Sequence, residues 1–261
     1  MASIAANLVG QGKKSIFRSH RNYLDHVKEL KNQVPSKPFF FFENRQQVIS
    51  LEAKRLRSRM GLIVIMKNED DKFAHCDCLD FLGVIIGNKC RSVKAQEAMK
   101  YVAGYTIAID LTARNLQEDV KRKQFPRSSV KGFDTFCPVG KFIQAKEILD
   151  PHQLSIWLKL NGELKQHTSI IILTLSNYTG STQNMIHKIP ELISYCSGIM
   201  TLEEGDLLLT GTPAGVSSIS PGDEVEIGVE QETNSSIKII DQIKFNAIQR
   251  SDGLTYDQLK I

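Results

Sequence analysis

The chain has 261 residues, 24% of them charged and 41% hydrophobic, and 33 Lys+Arg against 29 Asp+Glu give a net charge of +4. That balance excludes disordered, collagen-like and low-complexity chains, and the charge is too mild to imply nucleic acid by itself. Two apolar runs, residues 60–66 (MGLIVIM) and 169–175 (SIIILTL), have seven residues each, well short of the roughly 20 that a membrane-spanning helix needs.

Both runs read as buried strands or core segments. Five cysteines (Cys76, Cys78, Cys90, Cys137 and Cys196) are scattered along the chain in odd number. That argues against a secreted disulfide scaffold and for a reducing compartment. No acid precedes Asp25, whereas Lys13, Lys14, Arg18 and Arg21 do. A basic, acid-free start fits a mitochondrial transit remnant or a frayed basic terminus. The expected compartment is mitochondrial or cytoplasmic.

In chain order, residues 22–30 (NYLDHVKEL) put Tyr23, Val27 and Leu30 at helical spacing. Pro35 and Pro38 stop that helix, and the four phenylalanines at 39–42 read as a buried strand. Residues 46–59 are basic and helix-compatible. Residues 79–86 are strand-like and close on Gly87; 93–101 reads as a short helix. Residues 105–111 (YTIAIDL) predict a buried strand holding one acid, and 112–123 an amphipathic, charged helix. Residues 154–160 lead into Asn161-Gly162, a strong two-residue hairpin signal. Residues 189–200 read as a helix, 206–210 as a strand entering the turn 211–215 (GTPAG), and 224–229 as a strand after Pro221-Gly222-Asp223. Strands with a few helices and no regular βαβ alternation predict an α+β fold, mainly β.

Some familiar motifs fail on spacing. Gly12-Lys13 lacks the glycine and the hydroxyl that a phosphate loop needs, since positions 7 and 14 are Asn and Lys. His75, Cys76, Cys78 and Cys90 lack the paired spacing of a zinc site. Asp110 is the strongest single pointer. A carboxylate closing a buried strand needs a cation, a partner or several hydrogen bonds, unless it caps the helix that follows. His26 and Glu29 are three apart on a helix and can face each other, and a carboxylate there fixes the imidazole tautomer. Lys131, beside Gly132, could hold an anion or be a solvated loop lysine. In the 211–215 turn two glycines let backbone approach a ligand and Thr212 can bond a carboxylate, or the segment is a plain turn.

Taken in order, these pieces resemble one family. Asn22-Tyr23-x-Asp25-His26-x-x-Glu29, Gly104-Tyr105-Thr106-x-x-x-Asp110-x-Thr112-Ala113-Arg114-x-x-Gln117, and Lys131-x-Phe133 with Cys137-Pro138-x-Gly140 come first. Asn161-Gly162-Glu163, Ile199-x-x-Leu202-x-x-Gly205-Asp206 and Gly211-Thr212-Pro213-x-Gly215-Val216 follow. Together they resemble the fumarylacetoacetate hydrolase-domain family, in its acylpyruvase and oxaloacetate decarboxylase branch. The resemblance covers roughly residues 16–42, 83–166 and 180–245.

The resemblance implies a mixed β-roll with a short N-terminal helical lid, a homodimer, and Mg²⁺ or Mn²⁺ bound by three carboxylates. It implies a small 2-oxo acid substrate, either an acylpyruvate that is hydrolysed or oxaloacetate that is decarboxylated. Both lose the C3–C4 bond and leave a pyruvate enolate that a hard divalent cation stabilises. His26, oriented by Glu29, would activate water. Lys131 would join them in the catalytic set, Arg114 and Gln117 would line the substrate, and Thr212 would take the pyruvoyl carboxylate. Asp110 is implied as one metal ligand.

The family's other two ligands are a Glu-x-Glu pair just before the Gly83 strand, and here those two positions hold Leu79 and Phe81. The nearest acids, Asp80 and Asp77, are the stand-ins; their i, i+3 spacing puts them on opposite faces of a regular strand. Residues 43–82 and 167–179 have no counterpart in the resemblance. The expected organisation is an N-terminal entry segment at 1–42, a β-roll domain at 43–245 and a tail at 246–261. The alternative to an enzyme is a catalytically impaired member, a pseudoenzyme or the product of an aberrant gene model, with an incomplete metal site.

Overall fold

The computed structural model describes residues 15–19, 21–44, 48–50, 62–65, 76–78, 80–126, 128–133, 135–167, 181–233, 236–249 and 258. Three sheets organise them. The largest, of eight strands, contains β1 (Ser15–Ser19), β2 (Phe40–Asn44), β3 (Val48–Ser50) and β6 (Asp80–Ile86). It also contains β7 (Val102–Ile109), β9 (Cys137–Val139), β10 (Ile143–Gln144) and β13 (Leu207–Leu209). Its order is β2-β1-β13-β6-β7-β9-β3, with β10 beside β7. The second sheet is β12-β11-β15-β16-β4, from Glu163–His167, Leu154–Leu160, Glu224–Glu232, Ile237–Gln249 and Leu62–Ile65. The third is β14-β5-β8, from Ser217–Ile219, Cys76–Cys78 and Thr112–Ala113. Strands dominate and helices are few, as the missing βαβ alternation predicts.

The period of two in the sequence sets which side chains meet. Tyr105, Ile107 and Ile109 of β7 join Leu82, Val84 and Ile86 of β6 in the main core. Leu154, Ile156 and Leu158 of β11 and Val225, Ile227 and Val229 of β15 meet them from the second sheet. The residues in between, Ile85 and Ala108, belong to a smaller cluster on the reverse face with Ile16, Cys137, Val139, Leu207 and Leu209. Asn161 and Gly162 both take positive φ, 52° and 80°, which is the primed hairpin turn that Asn-Gly favours.

Several expectations need correction. Residues 48–50 form a strand, not part of a helix, because β-branched Val48 and Ile49 pair in parallel with Cys137 and Pro138. Phe39 is half exposed and precedes its strand. Residues 112–113 form a short strand against β5 before the helix Arg114–Arg122 begins. Cys90 and Cys196 are buried free thiols, and Cys137 is buried as well. No helix among the described residues is long and apolar enough to cross a membrane. The rejected phosphate-loop motif, His75, the 51–59 part of the expected helix and the 169–175 run lie outside the described residues.

Candidate active site

A six-residue helix, Leu24–Glu29, carries the first pair. So short a helix does not persist alone in water. It forms because Tyr23 and Val27, four residues apart, are each 1% exposed, and burying such a side chain contributes about 1.5–3 kcal/mol. Asn22 fixes its entry: Nδ2 donates to the carbonyls of Thr210 (2.7 Å) and His187 (2.9 Å), and Oδ1 accepts from the His187 N–H (2.8 Å). His26 is buried beneath the helix.

One helical turn then brings His26 Nδ1 within 2.9 Å of Glu29 Oε2. An ionised carboxylate accepts only, so Nδ1 carries the proton, and Nε2 keeps its lone pair whenever the ring is neutral. Glu29 Oε1 accepts from the Gly215 N–H at 3.1 Å. Burial pushes the Glu29 carboxyl up, but the His26 and Gly215 hydrogen bonds and the charges of His26 and Arg114 outweigh it. The carboxyl lies below its ordinary value.

The glycines of the 211–215 turn serve the protein's own backbone. Gly211 (φ 113°) leaves room for Asn22, whose Cβ would lie 2.8 Å from an added Cβ, and Gly215 (φ 97°) abuts the Lys165 carbonyl. Between them Thr212 is buried, and its Oγ1 accepts from Gln166 Nε2 at 3.0 Å. Gln166 also holds the Pro213 carbonyl at 3.0 Å. On the helix that follows β8, Arg114 Nη1 donates to Gln117 Oε1 at 2.6 Å.

The small β14-β5-β8 sheet connects this corner to a second one. Ser218 pairs with Asp77 and Asp77 with Thr112. Two residues before Thr112, Asp110 is 3% exposed. It does not cap the Arg114–Arg122 helix, whose N-cap position is Ala113. Its two oxygens go to two cations: Oδ1 accepts from Arg18 Nη1 and Oδ2 from Lys131 Nζ. Arg18 is 1% exposed and Lys131 5%, so Lys131 is not a solvated loop lysine. Its ammonium also donates to Thr112 Oγ1 at 2.9 Å.

Among the described residues, Asp110 is not open to a divalent cation. Both carboxylate oxygens are engaged by positive groups, and unit charges 4 Å apart already interact by about 4 kcal/mol at an effective dielectric of about 20. A dication there would meet two such repulsions. Among the described residues no three His, Cys, Asp or Glu side chains gather to hold a metal. The side chains of Asp77 and Asp80 lie outside the described residues. Their backbone registers are Asp77 opposite Thr112 and Asp80 opposite Ile109.

The structure thus brings His26, Glu29 and the Thr212 turn together, with Arg114 near enough to act on Glu29, and gathers Asp110, Lys131 and Thr112 beside them. Sequence reasoning missed Arg18, Gln166 and the tie made by Asn22. The signal for Arg18 was present: it is the charged residue in the otherwise apolar start of a strand, Ile16-Phe17-Arg18. Nothing local marks Gln166, whose partners are 46 and 47 residues away.

Residues 15–238 match the family model described as fumarylacetoacetate (FAA) hydrolase C-terminal. The chain is 38% identical over 226 residues to the human mitochondrial protein described as oxaloacetate tautomerase FAHD1, covering 87% of this chain and 91% of that one. It is 39% identical over 216 residues to the mitochondrial oxaloacetate decarboxylase of Dictyostelium discoideum, covering 83% and 88%. Fumarylpyruvate hydrolase from Pseudomonas aeruginosa, solved with Mn²⁺ and pyruvate, shares the fold at a TM-score of 0.70 and 22% identity, over 92% of this chain and 94% of that one.

Proposed function

Because the chain belongs to the fumarylacetoacetate hydrolase family, we propose that its site acts on a small 2-oxo acid of the oxaloacetate or acylpyruvate class. Oxaloacetate tautomerisation, oxaloacetate decarboxylation and acylpyruvate hydrolysis differ in what leaves C3: a proton, CO₂ or a carboxylic acid. All three leave the electron pair on a pyruvate-type enolate. The names of the human and Dictyostelium relatives support the oxaloacetate class.

The observation that carries this reading is the line from Gly215 through Glu29 to His26. It sets a tautomer-fixed imidazole against the turn that holds Thr212. His26 Nε2 takes a proton from water for hydrolysis, or from C3 for tautomerisation, and a positioned base of this kind contributes typically about 10²–10⁴-fold. Thr212, held by Gln166, and Arg114, held by Gln117, receive the pyruvoyl carboxylate. Lys131 lends positive charge to the enolate. The Leu24–Glu29 helix acts as a lid over the bound acid. The Mg²⁺ or Mn²⁺ implied for Asp110, Asp80 and Asp77 has no step here, since the described residues do not fit it.

The test is kinetic. His26→Ala should lose about 10² or more in acylpyruvate hydrolysis and keep part of the oxaloacetate decarboxylation, which needs no activated water. Equal loss of both would remove water activation from His26's role. A second reading, a family member that binds the acid without turning it over, is favoured by the two cations on Asp110. It holds if the wild-type chain is inactive on both substrates at every metal condition.

A mitochondrial location is proposed on the same relatives. A homodimer is proposed from the resemblance, and sedimentation should then give twice the 29.3 kDa chain mass.

A further inference from the structure

We propose that Arg18, together with Lys131, stands in for a divalent cation at Asp110, so that the positive charge of this corner is covalently built into the chain. Three independent observations converge on it. First, the two positions at which the resemblance expects acids are Leu79 and Phe81, whose side chains offer a dication no oxygen ligand.

Second, Asp110 is not left for an ion. Its Oδ1 receives the Arg18 guanidinium and its Oδ2 the Lys131 ammonium, and all three residues are at most 5% exposed. Charges so deeply buried are tolerated only when paired and hydrogen-bonded. Lys131 is further fixed by Thr112.

Third, Arg18 stands in the same large sheet as the strand that leads into Asp110. Arg18 pairs with Leu209, Leu209 with Gly83, and Gly83 with Thr106, on the strand Val102–Ile109 that runs on into Asp110. Gly83 clears that row, because a Cβ there would sit 2.8 Å from Leu207 Cδ1 and 2.9 Å from Thr106 Cγ2.

A guanidinium differs from a dication in what it offers. It donates hydrogen bonds to a planar carboxylate and does not coordinate oxygen. A 2-oxo acid bound here is therefore held by hydrogen bonds and charge and not by chelation. This last step rests on the 2-oxo acid reading above; the assignment of Arg18 does not.

The experiment uses the full chain. Mn²⁺ titration followed by electron paramagnetic resonance should show no ion bound at one per chain below about 1 mM. One Mn²⁺ per chain at lower concentration, released by Asp110→Asn, overturns the proposal. Thermal unfolding with oxalate, a planar mimic of the pyruvate enolate, needs no variant. Oxalate at about 100 times its Kd should raise the Tm by about 5–10 °C, equally in EDTA and in Mn²⁺. A shift that appears only with Mn²⁺ overturns the proposal. No Mn²⁺ bound and no oxalate shift in either condition sinks the 2-oxo acid reading while leaving Arg18 in the metal's place.

Discussion

His26 and Glu29 come from one turn of one helix, three residues apart, and Glu29 is more than a third exposed. Arg18, Asp110 and Lys131 come from three segments, 92 and 21 residues apart, and none is more than 5% exposed. The first corner is a local device set on the surface of a finished core. The second is part of how the large sheet and the short helix Ser128–Lys131 are held together. Function and stability should therefore separate: variants at the first corner should cost activity with little stability, and variants at the second should cost stability whatever they do to activity.

The largest effect expected from that contrast is at Asp110. Asp110→Ala leaves a buried guanidinium and a buried ammonium without their shared carboxylate, and breaking a buried pair by removing one partner typically costs about 3–5 kcal/mol. Urea unfolding should show it as a lower midpoint. Glu29→Gln, measured the same way, should stay within about 1 kcal/mol of wild type, the range of exposed pairs. A similar loss in both variants would erase the distinction between the corners.

That distinction also explains what could be read from the sequence. The helix at 22–30, the Asn-Gly hairpin and the strands at 79–86 and 105–111 follow from short-range periodicity and turn chemistry, and the structure has an element at each place. The His26–Glu29 pair needed only the knowledge that i and i+3 meet on a helix. Arg18 and Asp110 meet because β1 joins β13, β13 joins β6 and β6 joins β7, and no pattern within either segment encodes that order. Asp110 could be recognised as an acid in want of a partner; the partner could not be named. The 211–215 glycines misled for a related reason. Their freedom serves contacts with Asn22 and Lys165, distant in sequence, and not the approach of a ligand.

Asn22 should give an intermediate effect, because it belongs to both schemes. It sits beside the helix of the first corner but bonds to Thr210 and His187, both more than 160 residues away. Asn22→Ala takes the partner from the buried Thr210 carbonyl and from the half-buried His187 carbonyl and N–H, at about 1–3 kcal/mol for such a loss. Hydrogen exchange should show faster opening of residues 24–29 before global unfolding, with the Asp110 corner still protected. Unchanged exchange at 24–29 would mean that Tyr23 and Val27 alone hold the helix.

The smallest expected effect is the pH response of the first corner, and its sign is fixed by Glu29. Its carboxyl lies below the ordinary value of 4.5 in the folded chain, so between the two values the unfolded state binds more protons. The stabilisation from the His26 and Gly215 hydrogen bonds is then complete above the ordinary value and is lost as pH falls through the folded one. With Glu29 more than a third exposed, its size is that of exposed pairs, about 0.2–1 kcal/mol. The difference in unfolding free energy between wild type and Glu29→Gln isolates it, because the buried Asp110 cluster is common to both and cancels. That difference should shrink toward zero as falling pH protonates the carboxylate. A difference that instead grows on acidification would mean that Glu29 is held in its protonated form, and His26 would lose the carboxylate that fixes its tautomer.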